Sequence, residues 1–203
     1  AVLNLCDYAI TTNEYLKEFI VNIDDEKIFV IPNFLNDEQL AVSQVLYDQK
    51  VLSKFNEYDN ITLGYFSGSS THNFDFDLIS NDLALILKSD KSLRLLIVGR
   101  LELKGKILDY SDRILIHDYC DYITLQKLIA SVHINLIPLQ NNIFTNCKSE
   151  LKFFEAAICG TVSIASPTYV YRNCISHKEN SYISYDYEWK SVITEAIEMC
   201  KSD

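Results

Sequence analysis

Glycine and proline are scarce in this sequence, with 5 glycines and 3 prolines among 203 residues. Because these residues impose or permit unusual backbone shapes, each one that remains is expected to mark a position where such a shape is required. Hydrophobic residues make up 48% and charged residues 23% of the chain. This balance is typical of a soluble globular protein and excludes a disordered chain.

Positive charge is also in short supply. Lysine and arginine total 18 against 28 acidic residues, which gives a formal net charge of −10. General nucleic-acid binding needs many cations to displace phosphate counterions, so this class of function is excluded. A single small anion bound at a local site stays compatible with the composition.

Several familiar motifs are missing. None of the six cysteines forms a C-x-x-C pair or clusters with histidine at zinc-ligand spacing, so no metal is expected. Reduced, mostly buried thiols in a cytoplasmic protein are predicted instead. No apolar run approaches the roughly 18 residues that span a bilayer, and no signal peptide is visible. The dinucleotide, phosphate-loop and serine-hydrolase motifs are absent. Because the chain starts without Met in structured-looking sequence, it is expected to be a fragment of a longer polypeptide.

Strand-like and helix-like segments alternate from residue 60 onward. Strands are predicted at "ITLGYFSG", "LRLLIVG", "RILIHDY", "HINLIPL" and "TVSIAS", and helices at "FDLISNDLALILKS", "YITLQKLIASV", "NCKSELKFFEAAICG" and "EWKSVITEAIEMCKS". This order predicts an α/β fold, a Rossmann-like parallel sheet flanked by helices. The strand "KIFVIPNF" and the turn at Pro32 and Asn33 indicate a boundary that separates residues 1–35 from residues 36–203.

Ligands of such sheets bind beyond the carboxyl ends of the strands. The loop "SGSSTH" after the first strand contains small hydroxyl residues around Gly68, whose backbone can approach phosphate; the alternative is a plain serine-rich turn. After the fourth strand, Lys148, Lys152 and Glu155 are spaced to form one stripe of a helix that begins near Asn146. That helix is apolar nearly all round, so the stripe indicates a ligand site rather than exposed salt bridges.

The same helix carries a family resemblance. "KFFEAAICGTVSIAS" resembles the K-x-x-E…G-x-P-V pattern in the donor-binding half of GT-B-fold glycosyltransferases, the group 1 or family-4-like enzymes. "CDYAITTNEYLKEFI" is similar to the last strand and helix of their N-terminal domain, and "IFVIPNFLN" to their interdomain hinge. "ITLGYFSGSSTHNFDF" and "LRLLIVG" resemble the first two strands of the donor domain. The resemblance covers most of the chain.

The resemblance implies a hexosyltransferase that transfers sugar from a nucleotide-sugar to a glycan or lipid-linked acceptor, in bacterial surface polysaccharide synthesis. It assigns the ribose to Glu155 and the base to Ile116, His117 and Tyr119. The diphosphate and sugar are assigned to Gly68, Ser69, Ser70, His72, Lys148, Ser149 and Lys152. No cofactor is implied. Residues 1–35 correspond to a remnant of the acceptor-side domain and hinge, and residues 36–203 to the donor domain. Without the missing N-terminal domain, the isolated chain is expected to be inactive.

Three positions depart from the family pattern. Cys147 stands where the first glutamate of the E-x7-E motif is usual, and "SGSSTHNF" lacks the arginine and lysine found in many relatives. Val162 replaces a proline. Two alternatives therefore stay open: a non-catalytic GT-B-like scaffold or binding module, and a sugar-nucleotide epimerase. The full-length enzyme is expected in the cytoplasm, and the resemblance is compatible with peripheral association at the inner face of the membrane.

Overall fold

Six parallel strands form the central sheet of the computed structural model, which describes residues 5–53, 60–68 and 72–202. The strands are β3 (Thr62–Phe66), β4 (Arg94–Val98), β5 (Ile114–His117), β6 (Ile134–Ile137), β7 (Val162–Ala165) and β8 (Tyr182–Ile183). They lie side by side in the order β5-β4-β3-β6-β7-β8. The predicted α/β Rossmann-like parallel sheet is confirmed.

Helices cover both faces of this sheet. The helices α3 (His72–Ser89) and α8 (Trp189–Ser202) pack on one face, and α4 (Tyr122–Ala130) and α6 (Leu151–Ala157) pack on the other. A 3-10 segment, Gly105–Arg113, joins β4 to β5. The short helices α5 (Ile143–Asn146) and α7 (Tyr169–Cys174), and the strand β8, are not anticipated from the sequence pattern.

Alternate side chains along each strand belong to two separate parts of the hydrophobic core, one on each face of the sheet. Leu63 and Tyr65 in β3 and Ile97 in β4 pack with α3 and α8, whereas Phe66 and Val98 pack with α4 and α6. Successive side chains of a strand point to opposite faces, so a strand covered on both sides is apolar at nearly every position. This explains the continuous apolar segments of the sequence.

The N-terminal segment forms a separate, smaller sheet. β1 (Ala9–Thr11) pairs in parallel with β2 (Ile28–Val30), and the short helix α1 (Glu14–Lys17) follows β1. Asn13 caps α1, since its side chain accepts a hydrogen bond from the backbone N–H of Leu16 at 2.7 Å.

The connecting helix α2 (Asp37–Leu52) packs against the six-stranded part of the chain. Gln126 of α4 donates a hydrogen bond to Ser43 Oγ at 3.0 Å. Lys50 Nζ donates to the carbonyl oxygen of Val132 at 2.9 Å and to Thr161 Oγ1 at 2.8 Å. These contacts hold α2 against the part of the chain that forms the six-stranded sheet and its helices.

The cysteines depart from expectation in one respect. Of the six, only Cys159 is buried, Cys6 is exposed and the other four are partly exposed. The prediction that most of the thiols are buried is therefore wrong. Within the described residues, no helix is long and apolar enough to cross a membrane.

Candidate functional site

A cavity of about 130 Å³ opens at the carboxyl ends of the central strands. Its walls include Phe66 to Gly68 after β3, Val98 and Gly99 at the end of β4, and Asn135 in β6. From β3 the chain adds β4 and β5 on one side, and from β6 it adds β7 and β8 on the other side. At such a switch point the loops that follow the two central strands diverge and leave a crevice. The cavity thus lies where a parallel sheet of this kind binds its ligand.

Gly99 shapes the floor of this cavity through its backbone. Its φ is +95°, and a Cβ atom at this position would lie 2.0 Å from the carbonyl oxygen of Ser67. Its N–H donates to the carbonyl oxygen of His117 at 2.8 Å, so the backbone cannot shift without loss of that bond. Only glycine fits here.

We expect Gly99→Ala to lower the free energy of unfolding by about 2–4 kcal/mol, because a clash with backbone adds to the cost of a positive φ. Gly105→Ala is the matched control, since Gly105 has φ +72° and nothing within 4 Å of the added atom. The control is expected to lose about 1 kcal/mol. Urea denaturation measures both, and equal losses in the two variants would contradict the role of the clash.

Lys152 enters the cavity from the first turn of α6. Its Nζ donates a hydrogen bond to the carbonyl oxygen of Phe66 at 2.8 Å, at the end of β3. The pKa of Lys152 is lowered to about 8, first by burial and then by the nearby charge of Lys148, against the opposing effects of Asp75 and Glu155. An ammonium group so poorly solvated gains when an anion binds beside it.

Asn135 fixes the position of the segment that carries Lys152. Its Nδ2 donates to the carbonyl oxygen of Lys152 at 3.3 Å and to Ser163 Oγ at 3.1 Å, and its side chain is buried. Sequence reasoning missed this residue. A polar residue in the middle of the buried strand "INLI" is the signal that could have revealed it.

Glu155 lies one helical turn after Lys152 and also lines the cavity. It is only 9% exposed, and burial raises its pKa from 4.5 to about 7, although the charge of Lys152 opposes the shift. The backbone carbonyl of Glu155 accepts a hydrogen bond from Gln126 Nε2 at 2.8 Å. A buried carboxylate with limited solvent can accept hydrogen bonds from a hydroxylated ligand.

Lys148 and Ser149 lie outside α6, which corrects the prediction of one helix from Asn146. The helix begins at Leu151, and Cys147 to Glu150 form a turn after α5. The carbonyl oxygens of Cys147 and Lys148 accept hydrogen bonds from Asn13 Nδ2 at 3.2 and 3.1 Å. Because Asn13 binds these two acceptors, the chain turns here before the helix starts.

Neither Lys148 nor Ser149 is among the residues that line the cavity. Ser149 Oγ accepts a hydrogen bond from Asn33 Nδ2 at 2.8 Å, next to the predicted hinge. Lys148 Nζ lies 3.8 Å from Asp75 Oδ2 and 5.1 Å from the centre of the Phe144 ring. The charges of Lys148 and Glu155 both act on Lys152, but of these three residues only Lys152 and Glu155 share one helix.

The predicted base-binding segment is split by the geometry. Tyr119 lines the cavity, together with Cys120, Leu125 and Ile129. Ile116 and His117 lie outside it: Ile116 is 56% exposed on the edge strand β5, and His117 Nδ1 is 2.7 Å from the carbonyl oxygen of Asp118. Of the three predicted base-binding residues, Tyr119 lines the cavity, and the apolar lining continues into α4.

The glycine loop after β3 is described only in part. Gly68 lines the cavity, and His72 is the first residue of α3. Ser69 and Ser70 lie outside the described residues. Across the described ranges, no group of three or more histidine, cysteine, aspartate or glutamate side chains is arranged to hold a metal ion.

Residues 61–202 match the family model of group 1 glycosyl transferases, which is more than half of the chain. The chain belongs to this glycosyltransferase family. No curated protein matches it in sequence.

Solved glycosyltransferase structures share the fold of this family member. HepE of Anabaena, in complex with UDP-glucose, has a TM-score of 0.66 at 14% identity, with 97% of this chain and 55% of that chain covered. A mutant of S. aureus TarM, in complex with Fondaparinux, alpha-GlcNAc-glycerol and UDP, has a TM-score of 0.66 at 17% identity, with coverage of 98% and 38%. WaaG, a glycosyltransferase involved in lipopolysaccharide biosynthesis, has a TM-score of 0.66 at 14% identity, with coverage of 96% and 55%. The chain thus spans about half of these proteins or less.

Proposed function

We propose that this chain is the donor-binding part of a glycosyltransferase that uses a nucleotide diphosphate sugar. One observation carries the proposal: α6 places the cation of Lys152 and the buried carboxylate of Glu155 in the same cavity, at the switch point of the sheet. A nucleotide diphosphate sugar offers a diphosphate for the first and a ribose diol for the second.

The chemistry of the two side chains fits separate tasks. Lys152 is proposed to neutralise the diphosphate as it leaves, which a fixed cation can do without a metal ion. Glu155 is proposed to accept hydrogen bonds from the ribose hydroxyls. The apolar end of the cavity, at Tyr119 and Leu125, is proposed to hold the base, and Gly68 to approach the phosphates or the sugar through its backbone.

The acceptor and the biological role are proposed from the relatives. One similar structure holds UDP-glucose, and another is of a protein involved in lipopolysaccharide biosynthesis. We propose hexosyl transfer to a glycan or lipid-linked acceptor in bacterial surface polysaccharide synthesis, on the cytoplasmic side of the membrane. Because acceptor contacts are expected from the other half of such proteins, the chain alone is proposed to bind donor and to transfer no sugar.

One observation favours a second candidate. Cys147, where the first glutamate of the family pattern is usual, is a partly exposed thiol whose pKa is raised by burial. Such a group is a weak substitute for a carboxylate in binding hydroxyl groups. A non-catalytic binding module of the same fold fits this substitution.

A thermal-shift panel with UDP, GDP, ADP and their glucose conjugates tests the proposal. We expect one nucleotide diphosphate to raise the melting temperature, because a ligand that binds only the folded state stabilises it by mass action. Uridine, guanosine and adenosine without phosphates serve as controls and are expected to shift it less. If no nucleotide moves the melting temperature at millimolar concentration, the donor-site proposal fails and the binding-module candidate is favoured.

A further inference from the structure

Asp75 is a buried carboxylate that the roles described above leave unassigned. It lies in the first turn of α3 and is 5% exposed. Its Oδ1 accepts a hydrogen bond from the backbone N–H of Gln140 at 3.0 Å, in the loop that follows β6. A buried carboxylate is costly unless cations and hydrogen bonds compensate it, so its surroundings indicate what it does.

Lys148 is a cation that lies beside Asp75. The distance from Lys148 Nζ to Asp75 Oδ2 is 3.8 Å, and the Lys148 side chain is 26% exposed. The Phe144 ring, with its centre 5.1 Å from Nζ, lies next to the same ammonium group. The backbone of Lys148 is held separately, since its carbonyl oxygen accepts from Asn13 Nδ2. Both ends of this flexible residue are therefore fixed by contacts distant in sequence.

Lys148 also lies close enough to Lys152 to act on it electrostatically. The positive charge of Lys148 lowers the pKa of Lys152, whereas the negative charge of Asp75 raises it. Two neighbouring ammonium groups repel each other, and a lysine side chain with a partly exposed end can swing into solvent to escape. The carboxylate of Asp75, 3.8 Å from Lys148 Nζ, opposes this movement.

We propose that Asp75 is a positioning residue that holds Lys148 beside Lys152, so that two cations rather than one meet the diphosphate of the donor. The inference rests on the proposed function and adds to it a residue from a different element of the fold. Asp75 itself makes no contact with the ligand in this arrangement. It acts through Lys148 and through the loop at Gln140.

Asp75→Asn removes the negative charge but keeps the shape of the side chain, and its amide oxygen can still accept a hydrogen bond from the Gln140 N–H. We expect the Kd for inorganic pyrophosphate and for the preferred nucleotide diphosphate to rise about fivefold to 30-fold, with little change for the nucleoside. Asp77→Asn, at an exposed position on the same helix, is the control and is expected to have no effect. A tighter Kd in Asp75→Asn would overturn the proposal, because it would show that the carboxylate only repels the ligand.

A double-mutant cycle with Lys148→Gln tests whether Asp75 acts through Lys148. We expect Asp75→Asn to cause no further loss of pyrophosphate affinity when Lys148→Gln is already present. A purely structural role for Asp75 would leave its effect intact in that background, and this result would overturn the proposal.

Acetylation of Lys148 by acetic anhydride, read by mass spectrometry, gives a measurement without nucleotide. Loss of the ion pair releases the Lys148 amine from its carboxylate partner and is expected to raise the acetylation rate about threefold or more in Asp75→Asn, and an unchanged rate would overturn the proposal. If the rate rises while the wild-type chain binds neither pyrophosphate nor any nucleotide, the donor site itself is disproved, and the positioning role falls with it.

Discussion

Lys152→Met is expected to weaken binding of the preferred nucleotide diphosphate by roughly 30-fold to 150-fold, because a charge-assisted contact to phosphate contributes about 2–3 kcal/mol. The Lys152 ammonium lies inside the cavity and is held at the end of β3 by the carbonyl oxygen of Phe66. Methionine has a similar length but offers no donor to a phosphate. Isothermal titration calorimetry of both proteins measures the difference.

Lys152→Met is expected to weaken binding without a comparable loss of stability. Burial already disfavours the charged form of Lys152 and lowers its pKa to about 8, so an apolar replacement is expected to cost little stability. Lys127→Met is the matched control, because Lys127 is exposed in the last turn of α4, away from the carboxyl ends of the strands. If Lys127→Met weakened binding as much as Lys152→Met, the effect would be one of net charge and not of the site.

Glu155→Gln is expected to make the chain more stable at pH 8 than the wild type, by up to about 3 kcal/mol, and to leave stability at pH 4 unchanged. Burial raises the pKa of Glu155 from 4.5 to about 7. Between these values the unfolded chain has released a proton that the folded chain still binds, so wild-type stability falls as the pH rises through this window. Glutamine removes that titration.

The same variant is expected to bind the nucleotide diphosphate about tenfold more weakly, because an amide accepts hydrogen bonds from the ribose diol less strongly than a carboxylate. Thermal melts at pH 4 and pH 8, with calorimetry at pH 8, check both effects. Glu198→Gln, at an exposed position on α8, is the control and should leave the pH dependence unchanged. A variant that gains no stability at pH 8, or that binds nucleotide as tightly as the wild type, would remove Glu155 from the proposed site.

Opposite effects on stability and affinity would have a common physical cause. Lys152 and Glu155 are ionisable groups on a short helix with a largely apolar, buried surface, and folding removes water from both. The fold stabilises neither charge fully. A ligand that carries a diphosphate and hydroxyl groups can interact with both charged side chains. Its binding therefore offsets part of the free energy that these charges lose when folding removes water from them.

Periodicity and chain order were sufficient to predict five of the six strands of the sheet and their parallel arrangement. Segments such as "LRLLIVG" and "HINLIPL" are apolar throughout because both sides of the sheet are covered, and this property is local to each strand. The spacing of Lys152 and Glu155 was equally readable, since residues three apart lie on one side of a helix. Their common cavity follows from the position of α6 after β6.

Contacts between residues far apart in sequence decided the remainder. Asn13 donates hydrogen bonds to the carbonyl oxygens of Cys147 and Lys148, 134 and 135 residues away. These bonds hold Cys147 and Lys148 in a turn, where the sequence pattern predicts a helix that begins near Asn146. Asp75 meets Lys148 only because α3 and the turn after α5 come together at one edge of the sheet. Local spacing predicts which residues share an element. The partners of a polar side chain depend on which elements the fold brings together, and only the tertiary structure showed them.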